Sequence, residues 1–199
     1  MKSNVKKYIG EGLLIVFSVL FALFINKLFD DYRTSQKKMI AKESIIKELY
    51  ANQSILANWR SKHTELNNRI ISVVNGQEDS LKTEFKKYDY FNLGVLTNNG
   101  TLIDEILTNT AWESAKATGI ITEFDFETIQ KLTLVYDLQK IIMNKTTMGI
   151  LDYLFDSEAN NMKNLDKTLV QLRLRFQELT GQEETMSTLY KEAIFELED

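Results

Sequence analysis

The sequence predicts an all-α protein hung from one apolar helix, and three observations carry that prediction. The chain of 199 residues has no Pro and only 8 Gly, too little of the punctuation that hairpins, sandwiches and barrels need. Residues 13–25 carry no charge, and eleven of those thirteen positions are Leu, Ile, Val or Phe. Beyond them, apolar residues recur at spacings of three, four and seven, which marks one buried face of a helix.

The apolar run comes first. Each aliphatic or Phe residue near the bilayer centre contributes about −0.3 to −0.6 kcal/mol, so residues 13–25 sum to roughly −3 to −7 kcal/mol and outweigh one carboxylate near the end, Glu11. As a helix, residues 8–29 reach about 33 Å, close to the ~30 Å of hydrocarbon in a bilayer. Lys6, Lys7 and Lys27 then reach the two interfaces, with Tyr8 and Phe29 as aromatic anchors. After Ile25 come Asn26, Lys27, Leu28, Phe29 and Asp30, which is no small-x-small cleavage site, so the segment is expected to stay attached. This divides the chain into a tail (1–7), a transmembrane helix (8–29) and a helical domain (30–199), of which residues 30–75 form a stalk and first bundle helix.

The side of the membrane is read from two opposing signals. A short tail before a single amino-terminal span is the layout of a signal anchor, which exports the chain behind it. The count of positive charges leans the other way, with Lys27, Arg33, Lys37, Lys38 and Lys42 behind the span. The expectation adopted is an exported, periplasmic domain.

From Asp30 to Val74 neither Gly nor Pro occurs, so nothing stops the helix at the membrane surface. Its expected stripe is Ile46, Leu49, Leu56, Trp59, Leu66, Ile70 and Val73. His63, the only histidine, lies on that stripe and reads as a boundary residue of the helix face. Asn75-Gly76 has the chemistry of a left-handed helix end. Residues 77–100 show no dominant period and are expected to be a short helix followed by irregular chain.

Thr101-Leu102-Ile103-Asp104 resembles a helix start of capping-box type. The helix it opens carries Ile103, Ile106, Leu107, Ala111, Trp112, Ala115 and Thr118, and stops at Gly119. Ala111, Ser114, Ala115 and Thr118 are small, so close helix packing is expected around Ala111, Trp112 and Ala115. Thr122 opens the next helix, with Glu123, Asp125 and Glu127 near its positive end and Phe126, Ile129, Leu132, Val135, Tyr136, Leu138 and Ile142 as its stripe. A bend is expected around residues 144–149, where Thr146, Thr147 and Gly149 are poor helix formers. Ile150, Leu151, Tyr153, Leu154 and Phe155 resume an apolar face. Leu165, Leu169, Leu172, Leu174, Phe176 and Leu179 form a helix closed by Gly181, and Met186, Leu189, Tyr190, Ile194 and Leu197 form a final one. The simplest assembly is an up-and-down bundle beyond the membrane.

Two stretches carry a family resemblance. Tyr8-Ile9-Gly10-Glu11 running into the aliphatic segment and on through Ile25-Asn26 to a polar stalk, together with Thr110-Ala111-Trp112-Glu113-Ser114-Ala115-Lys116-Ala117-Thr118-Gly119, resembles a family of small bacterial single-span membrane proteins built on a domain of unknown function. Gly12 and Lys27 depart from that family's pattern. The resemblance implies an integral protein of the bacterial inner membrane with an exported helical domain, and it brings no reaction.

The residues themselves offer little chemistry. Without Cys there are no disulfides and no thiolate nucleophiles. One His cannot complete a zinc or di-iron site. No phosphate loop, dinucleotide fingerprint or nucleophile elbow occurs, so neither catalytic residues nor a cofactor nor a metal is expected. A net charge of −4 from interspersed charges offers no basic track for nucleic acid. Within the span, Glu11 stands between Gly10 and Gly12. Either Lys7, one turn earlier, satisfies it, or the two glycines admit another membrane helix that Glu11 contacts. The partners expected are the lipid bilayer and a membrane protein, or a second copy. The function expected is that of a membrane-anchored interaction or scaffold protein, an accessory subunit of an envelope complex. The alternative is a ligand-sensing bundle whose pocket uses Trp59, Tyr88, Tyr90, Trp112 and Tyr136.

Overall fold

The computed structural model describes the backbone of residues 2–198 and the side chains of residues 11–198. Those described residues are helical throughout their ordered elements, joined by turns and irregular chain, with one isolated bridge between Tyr90 and Asn161. The first helix, α1, runs unbroken from Lys2 to Val74, 73 residues in all. Of residues 11–33 all but Ile25 are exposed, and this is the one helix among the described residues long and apolar enough to cross a membrane. At 1.5 Å per residue, residues 11–33 make an exposed rod about 35 Å long. Gly76, at φ +71°, closes the helix as expected.

The folded part begins where α1 acquires a strict alternation of four and three. Ile45, Leu49, Asn52, Leu56, Trp59, His63, Leu66, Ile70 and Val73 are all buried. Ile45, not Ile46, holds the first position, and Ile46 is only half-buried. A seven-residue repeat keeps one face toward a partner helix. That partner is α8, Leu165–Glu198, whose buried positions Leu165, Leu169, Leu172, Phe176, Leu179, Glu183, Met186, Tyr190 and Leu197 follow the same spacing. Tyr50 meets Glu198, Arg60 meets Glu184 and His63 meets Glu183, so the two helices are antiparallel. The expected break at Gly181 does not occur. Gln177, Glu178, Leu179, Gln182, Glu183 and Glu184 around it are good helix formers, and the seam on either side holds one register.

The third rod is α5, Phe126–Ile141, continued through a π-helical segment, Ile142–Thr147, into α6, Met148–Leu154. Lys131 bonds Glu196, Tyr190 bonds Gln139 and Thr146 bonds Gln182, which makes this rod antiparallel to α8 as well. Thr128, Leu132, Val135, Gln139 and Ile142 are buried at four-three spacing, and then Thr147, Ile150 and Leu154. The step from Ile142 to Thr147 is one residue too long for an α-helix. The wider π turn absorbs that residue and returns Ile150 and Leu154 to the core in place of Gly149 and Tyr153. Around residues 144–149, where the sequence suggests a bend, the rod continues through this π segment into α6. Short helices α7, Ser157–Asn160, and a 3-10 turn, Met162–Asn164, lead into α8.

Between α1 and α5 the chain returns along α1. It includes α2, Asp79–Phe85, α3, Gly94–Thr97, α4, Thr110–Ala117, and a 3-10 turn, Ile120–Glu123. The expected helix start at Thr101 is absent, and Thr101 and Asp104 share only a long side-chain contact of 3.4 Å. Side chains of α1 satisfy this backbone instead: His63 bonds the Leu102 carbonyl, Asn52 bonds both the N–H and the C=O of Thr108, and Lys62 pairs with Asp104. With its polar groups taken from the side, the segment stays irregular while Leu102 and Leu107 reach the core. Thr122 likewise does not start α5. Asp125 is the cap, accepting the Thr128 N–H at 2.8 Å, and Phe126 is 80% exposed where the sequence placed it in the core. Phe155 and Leu174, also placed on buried faces, are exposed.

Candidate functional site

Three features lie outside ordinary apolar packing, and they are stacked along α1. The lowest is the rod. Leu13, Leu14, Phe17, Leu20, Leu23, Phe24 and Phe29 are each more than half exposed. Glu11 and Gly12 are both exposed on it, and a Cβ built on Gly12 meets no atom within 4 Å. Lys7 and Gly10 lie outside the residues whose surroundings the structure describes, and with them the expected Lys7–Glu11 pairing and the Gly10 contact.

The second feature is a groove of about 790 Å³ where α1 and α4 diverge, floored by Ile40, Ala41, Ala111 and Ala115 and edged by Lys37 and Glu123. The small-residue face of α4 divides across it. Trp112 and Ala115 are buried against the core, while Ser114 and Thr118 are exposed and line the open groove. At its upper end stands Glu48, a residue that sequence reasoning passed over. Its carboxylate accepts the Ala111 N–H at 2.9 Å, the Trp112 N–H at 3.4 Å and the Tyr136 hydroxyl at 2.7 Å. Asn109 provides no side-chain cap to α4, so a carboxylate from α1 takes over the orphan donors and meets the positive end of the helix. Beside it Asn52, Gln139, Tyr190 and the Thr108 backbone form a closed network, with Asn52 and Gln139 both donating to the Thr108 carbonyl and Tyr190 donating to Gln139. Burial first and the Glu48 charge second hold the Tyr136 phenol far above its ordinary range; burial does the same for Tyr190, with Glu48 adding to it. Both tyrosines are therefore permanent donors. Trp112 stacks on Tyr136 at 5.3 Å and closes the layer.

The third feature lies four turns higher. His63 and Glu183, each a seam residue, are fully buried, with Nδ1 and Oε1 2.6 Å apart. The Leu102 carbonyl lies 2.9 Å from Nε2, and because a carbonyl only accepts, Nε2 must carry a proton. A single further proton then occupies the Nδ1–Oε1 contact. Glu183 Oε2, Trp59 Nε1 and Thr147 Oγ1 are buried without partners in the described structure. His63 is thus a core residue and not the boundary histidine its position suggested. The signal available was that Asn52, His63 and Glu183 occupy stripe positions otherwise held by Leu, Ile, Trp and Met.

The five aromatics proposed for a ligand pocket are not brought together. Trp112 and Tyr136 border one cleft of about 330 Å³, Tyr88 lines another, Tyr90 is exposed, and Trp59 is in the core. No family model matches the chain, and no curated protein or solved structure is significantly similar to it.

Proposed function

We propose that this chain is a membrane-anchored helical interaction protein, an accessory or scaffold subunit of a bacterial envelope complex. In this reading residues 8–29 cross the inner membrane, α1 continues as the stalk, and the rest is an up-and-down bundle in which the returning segment 75–125 takes the place of a second helix. The domain stands on the periplasmic side. The observation that carries the reading is the rod: apolar side chains exposed over about five turns, on a helix that then joins the core without a break. In water such a surface would be the largest apolar patch on the molecule, and bilayer insertion is the environment that covers it. The groove beside α4 supports the interaction half of the reading, since it offers an apolar floor with polar edges next to the anchor.

A sensing function has one observation in its favour, the cleft bordered by the Trp112–Tyr136 stack. Alkaline carbonate washing of membranes tests the anchor, and a reporter fused to the carboxyl terminus tests the side. Recovery of the intact chain in the aqueous fraction without detergent overturns the proposal. Copurification in mild detergent tests for a partner, and a lone monomer with no crosslinked neighbour removes the scaffold reading.

A further inference from the structure

We infer that the groove between α1 and α4 is filled by α1 of a second copy of this chain, forming a parallel two-fold dimer whose contact continues down into the membrane-spanning segment. This rests on the membrane-anchored reading, because a common bilayer is what holds the two first helices parallel and at equal height.

Four observations converge on that occupant. The groove is long and lies along α1, from Thr34 to Glu48 on one wall and from Thr110 to Glu123 on the other, which suits a helix running beside α1. Its walls carry Ala41 and Ser44 on one side and Ala111, Ser114 and Ala115 on the other, so a backbone can approach closely. An incoming α1 presents the same small residues in return. Ile40, which lines the groove, is 60% exposed.

Charge selects a second copy over an unrelated helix. Lys37 and Glu123 stand on opposite sides of the groove, and among the described residues neither has an ion-pair partner. A two-fold axis along the groove keeps equal residues at equal heights, so Lys37 of each copy arrives beside Glu123 of the other. Two reciprocal pairs form from charges that one copy leaves apart.

The same face extends into the span. Eighteen residues make five turns at about 3.6 residues per turn, which places Leu23 below Ala41, Asn26 below Ser44, and Gly12 below Asp30 on one line. A side chain at Gly12 would meet nothing within this chain, so the fold of one copy gives no reason for a glycine there. A second helix closing on that line does, and Asn26 then has its own counterpart across the axis for a hydrogen bond near the interface.

The absence of Cys makes the test direct in the full-length chain in native membranes. Ser44→Cys and Ile40→Cys put thiols in the groove; Met39→Cys puts one on another face of the same helix, where the native side chain is 47% exposed. Mild oxidation is expected to give disulfide dimers at positions 40 and 44 and few at 39. Adding Ser114→Trp to Ser44→Cys fills the groove and lowers the dimer yield on the order of tenfold, the loss of one close helix contact. Lys37→Glu lowers it as well, and Lys37→Glu with Glu123→Lys restores it. If the chain stays in carbonate-washed membranes while positions 40 and 44 crosslink no better than 39, the inference is overturned and the anchor stands. A dimer insensitive to Ser114→Trp, or a crosslinked product containing a different protein, overturns it too. Appearance of the chain in the aqueous fraction instead removes the anchor reading, whatever the crosslinks show.

Discussion

Removing His63 alone from the buried His63–Glu183 pair is expected to cost far more than removing both members. In His63→Leu the carboxylate of Glu183 keeps its burial and loses its only partner, since Oε2 already has none. Breaking a buried ion pair from one side costs about 3–5 kcal/mol, and the unpaired Leu102 carbonyl adds about 1–3 kcal/mol. In Glu183→Leu the imidazole keeps its bond to Leu102 and turns an unpartnered Nδ1 toward leucine, a cost of about 1–3 kcal/mol for one orphaned polar atom. In the double variant no buried charge remains. Two leucines of similar volume continue the four-three seam on both helices, and the residual cost is the Leu102 carbonyl, about 1–3 kcal/mol. The stranded carboxylate of one single variant (about 3–5 kcal/mol) and the orphaned nitrogen of the other (about 1–3 kcal/mol) both vanish in the double variant, so the cycle predicts a coupling of about 4–8 kcal/mol between the two positions. Equilibrium unfolding of the full-length chain in detergent reads it out through Trp59, whose ring lies 6.1 Å from that of His63. Single variants with equal costs that simply add in the double variant would refute the shared-proton arrangement.

Three further outcomes are expected from other features. Gly181 is exposed, lies inside α8, and has no atom within 4 Å of an added Cβ, so Gly181→Ala should stabilise the fold by about 0.5–1 kcal/mol in the same denaturant titration. Tyr136 and Tyr190 are held protonated in the fold, whereas in the unfolded chain they ionise near 10.0. Their contribution is complete below pH 10 and falls above it by about 1.4 kcal/mol per pH unit for each ring; Tyr136→Phe and Tyr190→Phe should each flatten the alkaline limb of a stability profile, and an unchanged slope would count against burial of the hydroxyls. Deleting Lys145 removes the extra residue of the π segment and leaves Ile142, Thr147, Ile150 and Leu154 on one α-helical face. Circular dichroism and the unfolding midpoint should therefore survive that deletion, while deleting Glu178 from α8 slips the seam against α1 and should abolish cooperative unfolding.

The sequence disclosed the long elements because each long helix repeats one signal many times. The stripe from Leu49 to Val73 and the faces of α8 were legible for that reason, and the stop at Gly76 came from the need for a positive φ. What it concealed were cases where a distant residue decides a local outcome. Thr101 has the chemistry of a helix cap, but His63, Lys62 and Asn52 reach it across α1 and hold its neighbours irregular. Gly181 reads as a stop, yet the register of α8 against α1 carries the helix through. Phe126 reads as core when periodicity is counted from Thr122, whereas Asp125 sets the start. Of the candidate site, the small face of α4 was visible and its open groove was not. Glu48 was hidden most completely, since a glutamate beside an apolar stripe looks like any solvated charge until α4 is folded against it.

The unbroken course of α1 has a mechanical consequence. Leu23 and Trp59 belong to one rigid element with no Gly or Pro between them, about 54 Å apart along its axis. A twist or an axial displacement applied at Leu23 is carried by this one helix toward the layer of His63 and Glu183. There Glu183 Oε2, Thr147 Oγ1 and Trp59 Nε1 have no hydrogen-bond partner in the described structure, so a displacement of that layer can make new polar contacts without first breaking theirs.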